Sequence, residues 1–301
     1  VEKLHMGQPI PRRRLETEVT ARTTRDIDGQ PTQPLPRVVT VAMKVPEITA
    51  FFWIIKVLTT GMGETTSDFL VHQMDPVIAV AIAGVFFFAA LVLQLRARRY
   101  VPWTYWLAVV MVAIFGTMVA DAIHIVLRVP YLISVIFFSI ALTAVFIVWY
   151  TSEKTLSIHS IYTLRRELFY WTAIVATFAL GTAIGDLTAT TLPAIGSMGT
   201  ATGHLGYFMS GVLFAILFIL PAVGYWLFGL NGVFAFWFAY IMTRPLGASF
   251  ADWFGRPQDF GGIGVGTGRI SLILAVIIVA FVGYLSVTHK DEQGISSNPR
   301  G

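Results

Sequence analysis

Four aspartates stand at one register of a fourfold pattern. Asp68, Asp121, Asp186 and Asp252 each follow a tryptophan by fifteen residues: Trp53, Trp106, Trp171 and Trp237. A glycine stands ten residues after each tryptophan (Gly63, Gly116, Gly181, Gly247), and an aromatic residue precedes each one (Phe52, Tyr105, Tyr170, Phe236). The segments 51–70, 104–123, 169–188 and 235–254 align without a gap, which marks an internal repeat. Carboxylates bind protons and hard cations, and an ionised Asp in mid-span costs about 2.5–3.5 kcal/mol on insertion scales. Four at one register are a candidate coordinating set and the candidate metal ligands.

At ~100° per residue, positions 0, +4, +7, +11 and +15 from the tryptophan share one helical face, and +3 widens it. In the first motif this stripe carries Trp53, Lys56, Thr60, Glu64 and Asp68; in the fourth it carries Trp237, Tyr240, Arg244, Ala248 and Asp252. In the second, His124 returns to the face one turn beyond Asp121. Lipid cannot satisfy such a stripe, so it must face protein or water. Five carboxylates (Glu64 and the four Asp) then meet two embedded bases, Lys56 and Arg244, which read as internal counter-ions. The tryptophans start each stripe as stacked core aromatics or as a pathway gate. The glycines lie on a flank, where a small residue permits close helix contact.

The elements that hold these residues follow from composition. Hydrophobic residues are 55% of 301 and charged ones 13%, half the charge of an ordinary soluble domain; the mean hydropathy is +0.71. Cysteine is absent, which excludes disulfides and thiolate chemistry. Apolar runs predict eight helices near 47–71, 77–95, 103–128, 131–150, 167–191, 204–228, 231–254 and 269–288, each close to the ~20 residues that span a bilayer. The predicted fold is all-α: a polytopic membrane protein of four parallel two-helix hairpins about a pseudo-symmetry axis, two-fold or four-fold. The expected division is a disordered basic tail at 1–44, repeats at 45–98, 99–163, 164–229 and 230–288, and a C-terminal tail at 289–301. Lys and Arg gather on the side of the two tails, which predicts cytoplasmic termini.

The patterns FW…GE…D and YW…LGT…GD, with KVPE at 44–47, GETTSD at 63–68 and TRPLGASFAD at 243–252, resemble a bacterial family of four-repeat membrane proteins of unknown function. Its members are often described only as membrane-anchored proteins. The resemblance spans roughly 44–288 and implies a multi-pass protein of the bacterial inner membrane. It implies no chemistry.

The residues themselves predict a secondary transporter or permease for a cation such as Mn²⁺, coupled to protons. Asp68, Asp121, Asp186, Asp252, Glu64 and His124 would bind it, with Glu64 as the proton-coupled carboxyl. Lys56, Arg244 and the four tryptophans would serve as counter-ions and gates. An all-oxygen set with one imidazole suits hard divalent cations. The alternative is a non-transporting scaffold or sensor whose charges lock helices together, Lys56 pairing with Glu64 and Arg244 with Asp252. No Ser–His–Asp order, HExxH or dinucleotide fingerprint occurs, so no enzyme activity is expected. The expected partners are the lipid bilayer and the small cation, with no resident cofactor and no nucleic acid.

Overall fold

The computed structural model describes residues 43–125, 128–191 and 206–291. Eight long helices follow one another: α1 (Ala50–Gln73), α2 (Pro76–Arg96), α3 (Pro102–Ile125), α4 (Tyr131–Glu153), α5 (Leu164–Thr191), α6 (Gly206–Phe228), α7 (Gly232–Gly255) and α8 (Thr267–Thr288). No strand occurs among the described residues. Each end lies within three residues of its predicted position, because the chain places its own stop signals there. The Asp75 side chain caps α2 ahead of Pro76, and the Asn231 side chain caps α7, each satisfying orphan amides of the first turn. The predicted tails lie outside the described residues up to 42 and from 292 onward. Lys44, assigned by sequence to the tail, is buried in the folded unit.

Six helices, α2 to α6 and α8, are long and apolar enough to cross a bilayer. The outward faces of α2, α4, α6 and α8 expose large apolar side chains such as Phe86, Phe137, Ile219 and Leu272, consistent with a multi-pass membrane protein. The other two helices, α1 and α7, are as long but carry Lys56, Glu64 and Asp68, and Arg244 and Asp252.

The four motif helices pack side by side in a closed circuit, α1 on α3, α3 on α5, α5 on α7 and α7 on α1. Around them the packing departs from the expected hairpins. Consecutive helices of one repeat touch little, and each returning helix lies on the motif helix of the following repeat: α2 on α3, α4 on α5, α6 on α7 and α8 on α1. For α2 the contact is made by small residues: Ala79 and Ala83 bury against Ile114 and Met118 of α3.

Two layers of contacts repeat around the circuit. At the Trp end, the aromatic residue before each tryptophan meets the next repeat's tryptophan: Phe52 with Trp106 at 5.8 Å, Tyr105 with Trp171 at 5.7 Å, Tyr170 with Trp237 at 6.2 Å and Phe236 with Trp53 at 5.6 Å between centroids. These are the off-parallel geometries aromatic pairs prefer. Deeper, each motif glycine abuts the +7 residue of the next repeat: Gly63 on Ala113, Gly116 on Phe178, Gly181 on Arg244 and Gly247 on Thr60. A hydrogen bond between the Tyr105 and Tyr170 hydroxyls ties the buried aromatic layer. Tyr105→Phe is expected to lower stability by about 1 kcal/mol, read as a reduced thermal midpoint in detergent.

Candidate functional site

Glu64 sits one turn before Asp68 on the inner face of α1 and is 3% exposed. Its carboxylate is met across the circuit by Arg244 of α7, whose Nη2 lies 2.6 Å from Oε2. The same nitrogen donates to the hydroxyl of Thr117 on α3. Three motif helices are thereby joined at one guanidinium. Pro245 follows Arg244 inside α7 and packs its ring toward Gly181 and Gly185 of α5, so this kink-forming residue lies at the close approach of two helices. Arg244 Nε and Nη1 have no hydrogen-bond partner among the described residues.

Asp252, 2% exposed, accepts from Arg256 Nε at 2.9 Å, and Arg256 Nη2 reaches Asp68 of α1 at 3.2 Å. Oxygens of Glu64, Asp68 and Asp252 lie within 4.8 Å of one another. Asp186 of α5 lines a cavity together with Glu64 and Asp252, while Asp121 of α3 is half-buried and belongs to neither group. Neither Asp121 nor Asp186 forms an ion pair among the described residues. Between Glu64, Asp186, Asp252, Thr182, Ser249 and Tyr207 lies a cavity of about 10 Å³, room for about one water molecule. The walls offer carboxylate and hydroxyl oxygens, the donor set of a hard cation.

The other predicted residues are placed differently. Lys56 is fully buried and pairs with no carboxylate among the described residues; its Nζ stands 4.0 Å from the Phe178 ring centroid and 4.3 Å from that of Tyr240. The pairing expected of a scaffold, Lys56 with Glu64 and Arg244 with Asp252, is thus replaced by Arg244 with Glu64 and Arg256 with Asp252. His124 directs Nδ1 to the Val129 carbonyl at 2.9 Å and lies against Tyr131 with the two rings tilted by 43°, outside the group of three carboxylates. The tryptophans lie in the aromatic layer near Lys56; Trp106, Trp171 and Trp237 are buried, while Trp53 is half-buried. Arg256, Tyr207 and Ser249 are site residues that the repeat pattern did not flag; Thr117 and Thr182 stand on its polar stripe, eleven residues after Trp106 and Trp171. One signal was available: Arg256 follows Asp252 by four residues, the spacing of a helical ion pair.

A second polar cluster closes the Trp end. Lys44 Nζ donates to Glu167 Oε2 at 2.6 Å, and Gln94 Nε2 donates to Glu167 Oε1 at 3.1 Å and to the Lys44 carbonyl at 3.3 Å. The Tyr100 hydroxyl donates to Asp291. Burial first, and the Asp291 carboxylate second, push the Tyr100 phenol well above its ordinary range. The segment before α1 is thus strapped to α2, α5 and the chain following α8.

An all-helical, membrane-type protein organised around a buried carboxylate cluster is the class that these observations define. The chain belongs to the family described as Repeat of Unknown Function (DUF347), whose pattern matches it four times, at 51–100, 104–155, 169–229 and 235–291. No curated protein and no solved structure matches it.

Proposed function

We propose that this protein spans the bacterial inner membrane eight times, with both termini cytoplasmic, and moves a small cation through the centre of a four-fold pseudo-symmetric ring. The two cyclic contact layers and the seat of α8 on α1 support that symmetry. In this reading α1 and α7 cross the membrane too, sheltered from lipid by their neighbours, so their charges face the ring. The Lys/Arg bias toward the tails supports the orientation.

The observation that carries the functional reading is the convergence of Glu64, Asp68 and Asp252 beside a cavity that Asp186 also lines. Arg244 and Arg256 bind the first three, and among the described residues neither they nor Lys56 pair with Asp186. An ionised carboxylate held unpaired in a low-dielectric interior costs several kcal/mol, so the surplus calls for protons, water or a cation. Oxygen donors alone favour a hard divalent ion such as Mn²⁺, with proton exchange at Glu64 as the coupled step. The small cavity and the aromatic layer correspond to a closed state. A scaffold draws support from the Arg256 bridge between α1 and α7.

Flux separates the two. Proteoliposomes of the purified protein are expected to take up Mn²⁺ down a gradient. Asp252→Asn should cut the initial rate at least ten-fold while leaving the elution profile of the folded protein unchanged; Glu64→Gln should cut it as far, with a lowered thermal midpoint because Arg244 loses its buried partner. Absence of uptake by wild-type protein, for Mn²⁺ and for protons alike, would leave the scaffold.

A further inference from the structure

Past Gly255 the chain doubles back on the end of α7. The amides of Ile263, Val265 and Gly266 donate to the carbonyls of Trp253, Phe254 and Gly255. The return is so close that a Cβ at Gly262 would lie 2.0 Å from the Arg256 carbonyl oxygen. This fixes the Arg256 backbone beside the acids, while its side chain keeps 32% exposure. The guanidinium spans two motif helices, reaching Asp252 at 2.9 Å and Asp68 at 3.2 Å, with the Tyr207 ring centroid 5.1 Å from its central carbon.

Asp68 and Asp252 are two of the three residues whose carboxylate oxygens converge. A cation bound at those carboxylates would sit beside the guanidinium, and the two like charges repel there. Arg244 differs in kind: it is 1% exposed and held by both Glu64 and Thr117. Arg256 is the counter-ion with a path outward, attached at a helix end.

Resting on the cation-site reading above, we propose that Arg256 is a tethered counter-ion. Its guanidinium neutralises Asp68 and Asp252 when the site is empty, and an incoming cation takes those oxygens by displacing it. The tether sets the affinity and keeps the empty cluster from standing as bare negative charge.

The test uses full-length protein in detergent with Mn²⁺ as probe, binding being read from the loss of the free-Mn²⁺ electron paramagnetic resonance signal. Arg256→Gln removes the competing charge and should bind Mn²⁺ at least ten-fold more tightly than wild type. Arg256→Lys, which engages one carboxylate at a time, should fall between, at two- to five-fold tighter. Free guanidinium should compete with Mn²⁺ in Arg256→Ala and much less in wild type, a readout that loss of a merely structural contact would not produce. Equal Mn²⁺ affinity in wild type and Arg256→Gln, with binding abolished by Asp252→Asn, overturns the tether and leaves the cation site standing. Failure of every form to bind Mn²⁺ overturns both. Should Arg256→Gln not fold, Arg256→Lys decides alone, and an affinity equal to or weaker than wild type counts against the tether.

Discussion

Arg244→Met is expected to destabilise the protein by about 3–5 kcal/mol, the range seen when one partner of a buried ion pair is removed. The pair is 2.6 Å long, and its side chains are 1% and 3% exposed. Methionine fills much of the volume, so the loss comes from the charge of Glu64, left beside Asp68, Asp186 and Asp252 without its guanidinium. Thr117 also loses its donor. Arg244→Met combined with Glu64→Gln should recover most of the stability, since replacing both partners strands no charge. Thermal unfolding in detergent across the four-member cycle reads the coupling. A coupling below about 1 kcal/mol would mean that the pair is solvated and the cluster is not buried.

Gly247→Ala is expected to cost about 3 kcal/mol or more. An added Cβ would lie 1.9 Å from Thr60 Oγ1, 2.6 Å from the Val57 carbonyl oxygen and 2.9 Å from the Gly61 nitrogen. Thr60 cannot simply turn away, because its hydroxyl donates to Val57 at 2.6 Å and reaches the Thr243 carbonyl at 3.0 Å. The other two atoms are backbone, so α7 and α1 must separate. Helix propensity runs the other way, favouring Ala over Gly by about 1 kcal/mol, and overpacking at this distance exceeds it. Gly116 supplies the contrast: its nearest neighbour would be the Phe178 Cβ at 3.3 Å, and Gly116→Ala should change stability by less than about 1 kcal/mol. Comparable thermal midpoints for the two variants would contradict the tight α1–α7 seam.

The site was legible where repetition amplified it. One Asp in an apolar helix says little, but Asp68, Asp121, Asp186 and Asp252 at a common distance from their tryptophans marked the four helices that pack against one another in a circuit. Helix bounds were readable because Asp75–Pro76 and Asn231 terminate apolar runs with local chemistry. Partner choice was not readable. Arg244 lies on the same stripe as Asp252 yet bonds Glu64, 180 residues away, because α7 crosses α1 where Gly247 lets the backbones approach. Lys44 looked like tail charge and instead reaches Glu167, 123 residues on. Arg256 lies beyond the last motif residue, and only the return of the chain at Gly262 sets it beside Asp68. The returning helices pair with the following repeat rather than their own because grooves are a property of the assembled circuit, which chain order does not state.

Diffraction at the manganese absorption edge, from crystals grown with Mn²⁺, tests the convergence of the carboxylates on a cation most directly. The expected result is an anomalous peak bounded by Glu64, Asp68 and Asp252, with the Arg256 guanidinium turned away from both aspartates. The contradicting result is a map with no peak among those oxygens while Arg244 and Arg256 still hold Glu64, Asp68 and Asp252 at saturating Mn²⁺.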